Sequence, residues 1–244
     1  MQRYSRQVII EGFGEKSQRK LQRARVLVAG LGGLGSAASL YLAAAGVGHL
    51  VLVDDEEVEV SNLNRQVLHW ARDLKKSKAE SAAEKLRLLN PSIEVEAKKE
   101  KVTPANAGKL IGNCEAVVDG LDNYSTRYLL NEYCVRLGRP LVHGAVEGFV
   151  GQVTTILPGR GPCLKCIIPQ EPATKKIIPV LGATSGVIGC LQAMETIKLL
   201  TGIGKPLVGR MLIFDGRTMS FEELEVNRNP SCPVCSPLCK TSGK

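Results

Sequence analysis

The sequence predicts an α/β fold: a Rossmann-like, doubly wound and mainly parallel sheet, with antiparallel C-terminal strands and a structural zinc site. Three observations carry this expectation. Short β-branched runs alternate with helical segments across residues 24–145, the order that strands and crossover helices take in a parallel sheet. The first run ends in Gly30-Leu31-Gly32-Gly33-Leu34-Gly35 and passes directly into a small-residue helix. Two Cys-x-x-Cys pairs, Cys163/Cys166 and Cys232/Cys235, bracket the closing part of the chain.

Taken in order, residues 1–23 are polar and basic, with apolar positions at Val8, Ile9, Ile10 and Phe13 that suit helical pieces. Residues 24–29 (ARVLVA) are fully apolar after the arginine, as a strand buried on both faces must be. After the glycine loop a helix is expected over 36–45, ended by Gly46, and a second buried strand over 49–53, stopping at Asp54-Asp55. A polar loop leads to an amphipathic helix over 78–89, closed by Asn90-Pro91. Strands follow at 93–97 and 116–119, the latter ending in Gly120-Leu121-Asp122-Asn123; then come a helix over 125–137 and a strand over 140–145. Beyond Gly148 the pattern changes. Residues 150–157 alternate in the manner of an antiparallel strand, and Cys163/Cys166 fall in a Gly/Pro-rich loop. Residues 169–183 are poorly patterned. A helix over 186–200 would carry Val187, Leu191, Met194 and Ile197 on one face, and strands at 211–215 and 221–226 would close the sheet.

The 244 residues, 44% hydrophobic and 23% charged, suit one large folded unit and exclude wholesale disorder. No apolar run reaches the ~18 residues of a membrane span, and the N-terminus lacks a signal-peptide core, so a cytoplasmic protein with no membrane partner is expected. The net charge of +8 would suit nucleic acid, a nucleotide or an acidic protein. Only 4% aromatics and scattered basic residues argue against nucleic acid. Eight cysteines without an export signal point to metal or redox chemistry.

In the glycine loop, Gly30, Gly32, Gly33 and Gly35 permit a sharp turn and a close backbone approach to phosphate at a helix N-terminus. Asp54, at the end of the second strand, stands where an acid accepts hydrogen bonds from ribose hydroxyls. These features specify a nucleotide but leave the chemistry open, and an NAD(P) oxidoreductase would use them equally well. Arg65, Lys78 and Asp122 separate the readings. Singly, the first two read as solvated charges and Asp122 as a turn residue. Together they form the set that nucleotidyl transfer needs: cations for a triphosphate and an acid for Mg²⁺. Cys163, Cys166, Cys232 and Cys235 have the spacing of a closed four-thiolate zinc site, structural because no coordination position stays open. Redox pairs or free thiols are the weaker readings, since neither pair sits in a thioredoxin-like strand–helix setting. His143 reads as structural, and Cys190 as a small buried hydrophobe.

The runs RYSRQ, GLGGLGSAAS, LVDDEEVEVSNLNRQ, GLDNYSTRYLLN and GVIGCLQAMETIKLLTG, with Lys78 and the two cysteine pairs, together resemble the MoeB/ThiF/HesA family, relatives of the ubiquitin-activating enzymes. The resemblance covers nearly the whole chain. It implies a single adenylation domain over 1–244: an N-terminal helical segment (1–23), a nucleotide-binding part (24–148) and a zinc-pinned C-terminal part (149–244). It implies a homodimer that uses ATP and Mg²⁺ to adenylate the C-terminal glycine of a small ubiquitin-like protein ending in Gly-Gly. By the same resemblance, Asn62, Arg65 and Lys78 would meet the phosphates, and Arg6 would reach into the partner subunit's site. Glu56 departs from an aspartate common in the family. A relative's reactive crossover cysteine is matched here by about Lys175, and Cys239 is a tail thiol of no assigned use. A rhodanese-like domain has no room, so a separate persulfide protein is expected to donate sulfur. The competing reading within the family is a tRNA threonylcarbamoyladenosine dehydratase.

Overall fold

Eight strands form one sheet in the order β3-β2-β1-β4-β5-β6-β7-β8 among the residues described by the computed structural model, 2–172 and 178–236. The strands are β1 (Arg25–Ala29), β2 (His49–Val53), β3 (Glu94–Lys98), β4 (Ala116–Asp119), β5 (Leu141–Glu147), β6 (Val150–Ile156), β7 (Arg210–Asp215) and β8 (Ser220–Glu225). The first five pair in parallel, and β6, β7 and β8 continue the sheet antiparallel. The order reverses between β1 and β4, and this reversal opens a crevice at their C-terminal ends.

The helices are α1 (Ser5–Val8), α2 (Gly14–Arg23), α3 (Gly33–Ala45), α4 (Lys78–Leu89), α5 (Ala107–Ile111), α6 (Tyr124–Arg136), α7 (Leu164–Ile167) and α8 (Gly182–Thr201). Alternate residues of β1 and β2 divide between two cores. Val26, Val28, Leu50 and Leu52 pack with Ala38 and Leu42 of α3 and Leu86 of α4. Leu27, Ala29, Val51 and Val53 pack with Ile111 of α5 and Leu130 and Val135 of α6. Covering both faces is what an all-apolar strand requires. A smaller core joins Leu34, Val142, Val153 and Ile188 beneath α8. At the far edge β8 is exposed along its whole length.

Four sequence expectations need correction. The helix after the glycine loop starts at Gly33, not 36, so the last glycines belong to its first turn. α5 was not foreseen; it is one short turn whose apolar residues look like loop punctuation. Cys166 lies on the short helix α7 and Cys163 is its N-cap residue, so the pair is not in a plain loop. α8 begins at Gly182, four residues early, and its buried face is Ile188, Gly189, Gln192, Ala193 and Thr196, while Met194 is exposed. This face is small and polar because α8 crosses α3 closely: a Cβ on Gly189 would stand 2.5 Å from the Leu34 carbonyl oxygen. Lys175 and Cys239 lie outside the described residues. No described helix is long and apolar enough to cross a membrane.

Candidate active site

The glycine loop turns from β1 into α3 at the crevice. Gly30 has φ +85°, and a Cβ there would meet the Gly120 carbonyl oxygen at 2.6 Å, so the turns after β1 and β4 touch. A Cβ on Gly35 would lie 1.8 Å from the Gly30 carbonyl oxygen. Gly32 caps α3 without any side-chain bond, so the first N–H groups of this 13-residue helix face the crevice. The Leu31 N–H donates to Asp54 Oδ2 at 2.7 Å and the Glu56 N–H donates to Oδ1 at 2.9 Å. Burial raises the Asp54 carboxyl above its ordinary value, against the pull of these two bonds and the Lys78 charge.

Lys78 opens α4 with its side chain buried and ion-paired to Glu56, whose carbonyl also accepts the Lys78 N–H at 3.0 Å. Glu56 thus reaches a buried ammonium that would otherwise be uncompensated. Arg65 is half-exposed and folds back, Nη1 donating to the Ser61 carbonyl at 2.8 Å and to Asn64 Oδ1 at 3.0 Å. Its backbone lies against the starts of two helices: a Cβ on Gly33 would be 3.6 Å from the Arg65 carbonyl oxygen, and one on Gly182 would be 3.1 Å from the Arg65 Cα. Asn62 is buried, and its Oδ1 accepts the Glu59 N–H at 3.0 Å.

Asp122 is exposed two residues beyond Gly120, taking a 3.4 Å contact from Asn123 Nδ2. Its loop is tied down by groups that sequence reading missed. The buried Arg127 donates to the Leu121 carbonyl, and to the Gly144 carbonyl at 3.1 Å, while its Nε stands 3.6 Å from Asp119 Oδ1. Gln192 Nε2 donates to the Asp119 carbonyl at 2.8 Å. His143 is fully buried with Nδ1 2.6 Å from Asp119 Oδ2, and burial lowers its pKa, in keeping with a structural role. The signal for Arg127 was its place on the face of α6 shared with Leu130, Asn131 and Cys134, where a charge is out of character.

The fold thus brings Gly30–Gly35, Asp54, Arg65, Lys78 and Asp122 to one end of the sheet. Arg6 is not among them. It is exposed on α1, and neighbouring Gln7 donates to the Ala45 carbonyl at 2.9 Å, at the far end of α3.

The four cysteine sulfurs lie within 4.8 Å of one another and could hold a metal ion. The separations are 3.9 Å (Cys163–Cys166), 3.6 Å (Cys163–Cys232) and 3.5 Å (Cys166–Cys235). Sulfurs ~2.3 Å from a tetrahedral zinc stand ~3.8 Å apart, so the donor set fits that ion. Without a cation, burial pushes the Cys163 thiol up. Cys190 is half-buried on α8.

The decisive comparison is with protein families: the model of the ThiF family matches residues 4–234. The chain belongs to the ThiF family. It is 46% identical over 240 residues to the SAMP-activating enzyme E1 of Haloferax volcanii, covering 96% of this chain and 88% of that one. It is 44% identical over 245 residues to the sulfur carrier protein adenylyltransferase of Thermus thermophilus, covering 96% and 90%. The adenylyltransferase and sulfurtransferase MOCS3 of Drosophila sechellia is 45% identical, and the chain spans about half (53%) of its length. Among solved structures, Escherichia coli MccB in complex with MccA-N7isoASN superposes with a TM-score of 0.88 at 24% identity, over 96% of this chain and 74% of that one. That likeness shows the fold.

Proposed function

We propose that this ThiF-family chain is an adenylyltransferase that activates the C-terminal glycine carboxylate of a small ubiquitin-like protein with ATP. The observation that carries the reading is the crevice between β1 and β4, where the uncapped start of α3, a buried lysine, an arginine and an exposed aspartate stand around one place. A dinucleotide oxidoreductase has no use for Lys78 and Arg65 there. The relatives' names add weight, since two of them activate or adenylate carrier proteins.

In this reading Asp54 takes the ribose hydroxyls, and the N–H groups of the first turn of α3 meet the phosphates, those of Gly30 and Leu31 being taken by Val53 and Asp54. Arg65, Lys78 and the free amide of Asn62 neutralise the triphosphate. For Lys78 this means exchanging Glu56 for phosphate oxygens, a swap of one anion for another that leaves the ammonium paired. Asp122 would hold Mg²⁺, which when bound screens charge on the phosphates. The carrier's carboxylate oxygen attacks the α-phosphorus; the new O–P bond forms as the bond to the β-phosphate oxygen breaks, and pyrophosphate leaves. No side-chain nucleophile or base is needed, so the rate rests on alignment and charge neutralisation. A separate persulfide protein would supply sulfur to the acyl-adenylate.

Arg6 completes the site from a second subunit. Its segment is anchored at the C-terminal end of α3, and a 13-residue helix is ~20 Å long. Arg6 therefore stands about one helix length from its own glycine loop, with Ile9 (74% exposed) and Ile10 (56%) beside it for a neighbour to cover. The four cysteines hold one structural zinc per chain.

The test is mass spectrometry of a Gly-Gly-ending carrier after brief mixing with the chain, Mg-ATP and pyrophosphatase. The carrier should gain one adenylyl group, and Asp122→Ala should slow this at least ~100-fold, the several kcal/mol of a lost metal anchor. An unmodified carrier with every candidate tried would contradict the assignment.

A further inference from the structure

The loop between β2 and α4 carries a buried polar chain that the mechanism above does not use. Asp73 is fully buried and ion-paired with Lys85 of α4. Lys85 Nζ also donates to Ser81 Oγ at 2.8 Å, one turn earlier on the same helix. Ser81 Oγ is 3.0 Å from His69 Nδ1, and His69 Nε2 is 3.0 Å from the carbonyl oxygen of Leu31, inside the glycine loop. His69 itself is 3% exposed.

Elementary donor arithmetic gives this chain one direction. An ammonium only donates, so Ser81 accepts from Lys85 and has its own hydroxyl hydrogen to give. The receiver is His69 Nδ1, which must be bare. The ring's single proton then sits on Nε2, the tautomer that can donate to a carbonyl. Burial, with Lys78 and Lys85 nearby, keeps the ring neutral and pushes its pKa down to about 4.

Leu31 is held through both of its peptide groups. Its carbonyl accepts from His69 and from Ser36 Oγ at 3.1 Å, and its N–H fixes the Asp54 carboxylate at 2.7 Å. We propose that His69 is a positioning residue for the nucleotide: the Asp73–Lys85–Ser81–His69 chain holds the Leu31 carbonyl and so fixes the backbone torsions of Leu31, whose N–H orients the Asp54 carboxylate that receives the ribose. This rests on the crevice being the ATP site. When the Leu31–Gly32 peptide is held less firmly, the φ and ψ of Leu31 relax, and the N–H on which the Asp54 carboxylate leans shifts with them.

Three variants and one spectrum test the proposal. Mg-ATP affinity is measured by calorimetry without carrier, and exchange of labelled pyrophosphate at saturating ATP with it. His69→Phe keeps the bulk and loses the donor, so the ATP dissociation constant should rise about tenfold, the effect of one buried hydrogen bond. Exchange at saturating ATP should change less than about threefold, because His69 touches no reacting group. His69→Gln restores an N–H and should bring the dissociation constant back to within about threefold of the parent. The long-range ¹H–¹⁵N spectrum, simple in a chain of 3 histidines, should show His69 protonated on Nε2 alone, and Ser81→Ala should leave that proton in place because the Leu31 carbonyl still needs a donor. A folded His69→Phe that binds Mg-ATP like the parent, or a His69 protonated on Nδ1, overturns the proposal. If His69→Phe does not fold, His69→Gln and the spectrum still decide it. A parent chain that binds ATP yet adenylates no carrier overturns the functional reading and leaves this one standing.

Discussion

Asp54 is legible in the sequence as the acid that ends the second strand, yet what gives it a fixed orientation is the Leu31 N–H, a bond no motif reports. The same limit applies to Arg127, Gln192 and His69. Each is a polar residue in a segment patterned as helix or loop, and only the tertiary contact shows that it is buried and bonded to the crevice. Glu56, which stood out only as a departure from the family, is the anion paired with Lys78. Burial makes His69 a pH sensor of stability. Its folded pKa is lowered from 6.5 to about 4, so between those values the unfolded chain binds more protons than the folded one. Stability is then full above pH 6.5 and falls with pH through 4, by about 3 kcal/mol for this group. His143 shifts in the same direction. Asp73, pushed up by burial but brought down to about 2 by its Lys85 and Trp70 hydrogen bonds and the Lys85 charge, loses its share only below 3.8. Urea unfolding at pH 7 and pH 5 should show the parent losing more stability than His69→Gln; equal losses would contradict the assignment.

At the scale of elements, buried parallel strands announced themselves because apolar cover on both faces leaves no alternation to misread. β1, β2 and β4 start and end within a residue of expectation. α8 did not, since Gly189, Gln192 and Thr196 satisfy a close helix crossing and polar contacts that hydrophobic periodicity cannot register. The N-terminal segment was legible as helical pieces, but its docking was not. Tyr4 accepts from Asn90 Nδ2 at 2.9 Å and Gln7 donates to Ala45, which together fix α1 at the end of α3 away from the crevice. Arg6 in trans is therefore testable by complementation. Arg6→Ala and Asp122→Ala should each be nearly inactive. Mixed and allowed to exchange subunits, they should recover roughly a quarter of parent activity, since half the dimers are hybrids with one working site each. No recovery after verified exchange would place Arg6 within its own site or outside it.

For the whole molecule, the parallel half, its glycine loop and the four-cysteine cluster were legible, because each rests on local spacing. The order of the closing strands and the exposed edge at β8 were not, because they follow from how distant segments pack. The cysteine cluster brings α7 and the segment after β8 together across a long stretch of chain, so a metal held there would act on the whole fold more than on the crevice. Metal analysis should find one zinc per chain. Cys163→Ser or Cys232→Ser should lower the melting temperature by roughly 10 °C, the equivalent of about 3 kcal/mol in a chain of this size, while molecules that remain folded keep most of their turnover. A metal-free chain of unchanged stability would contradict this. The central claim is that the crevice joins ATP to a carrier's terminal carboxylate, and exchange of labelled pyrophosphate into ATP tests it most directly. The account predicts exchange with Mg-ATP only when a Gly-Gly-ending carrier is present, none with a carrier lacking its last glycine, and none with Asp122→Ala. Exchange that is indifferent to the carrier, or tight NAD(P)H binding in a chain that ignores ATP, would contradict it.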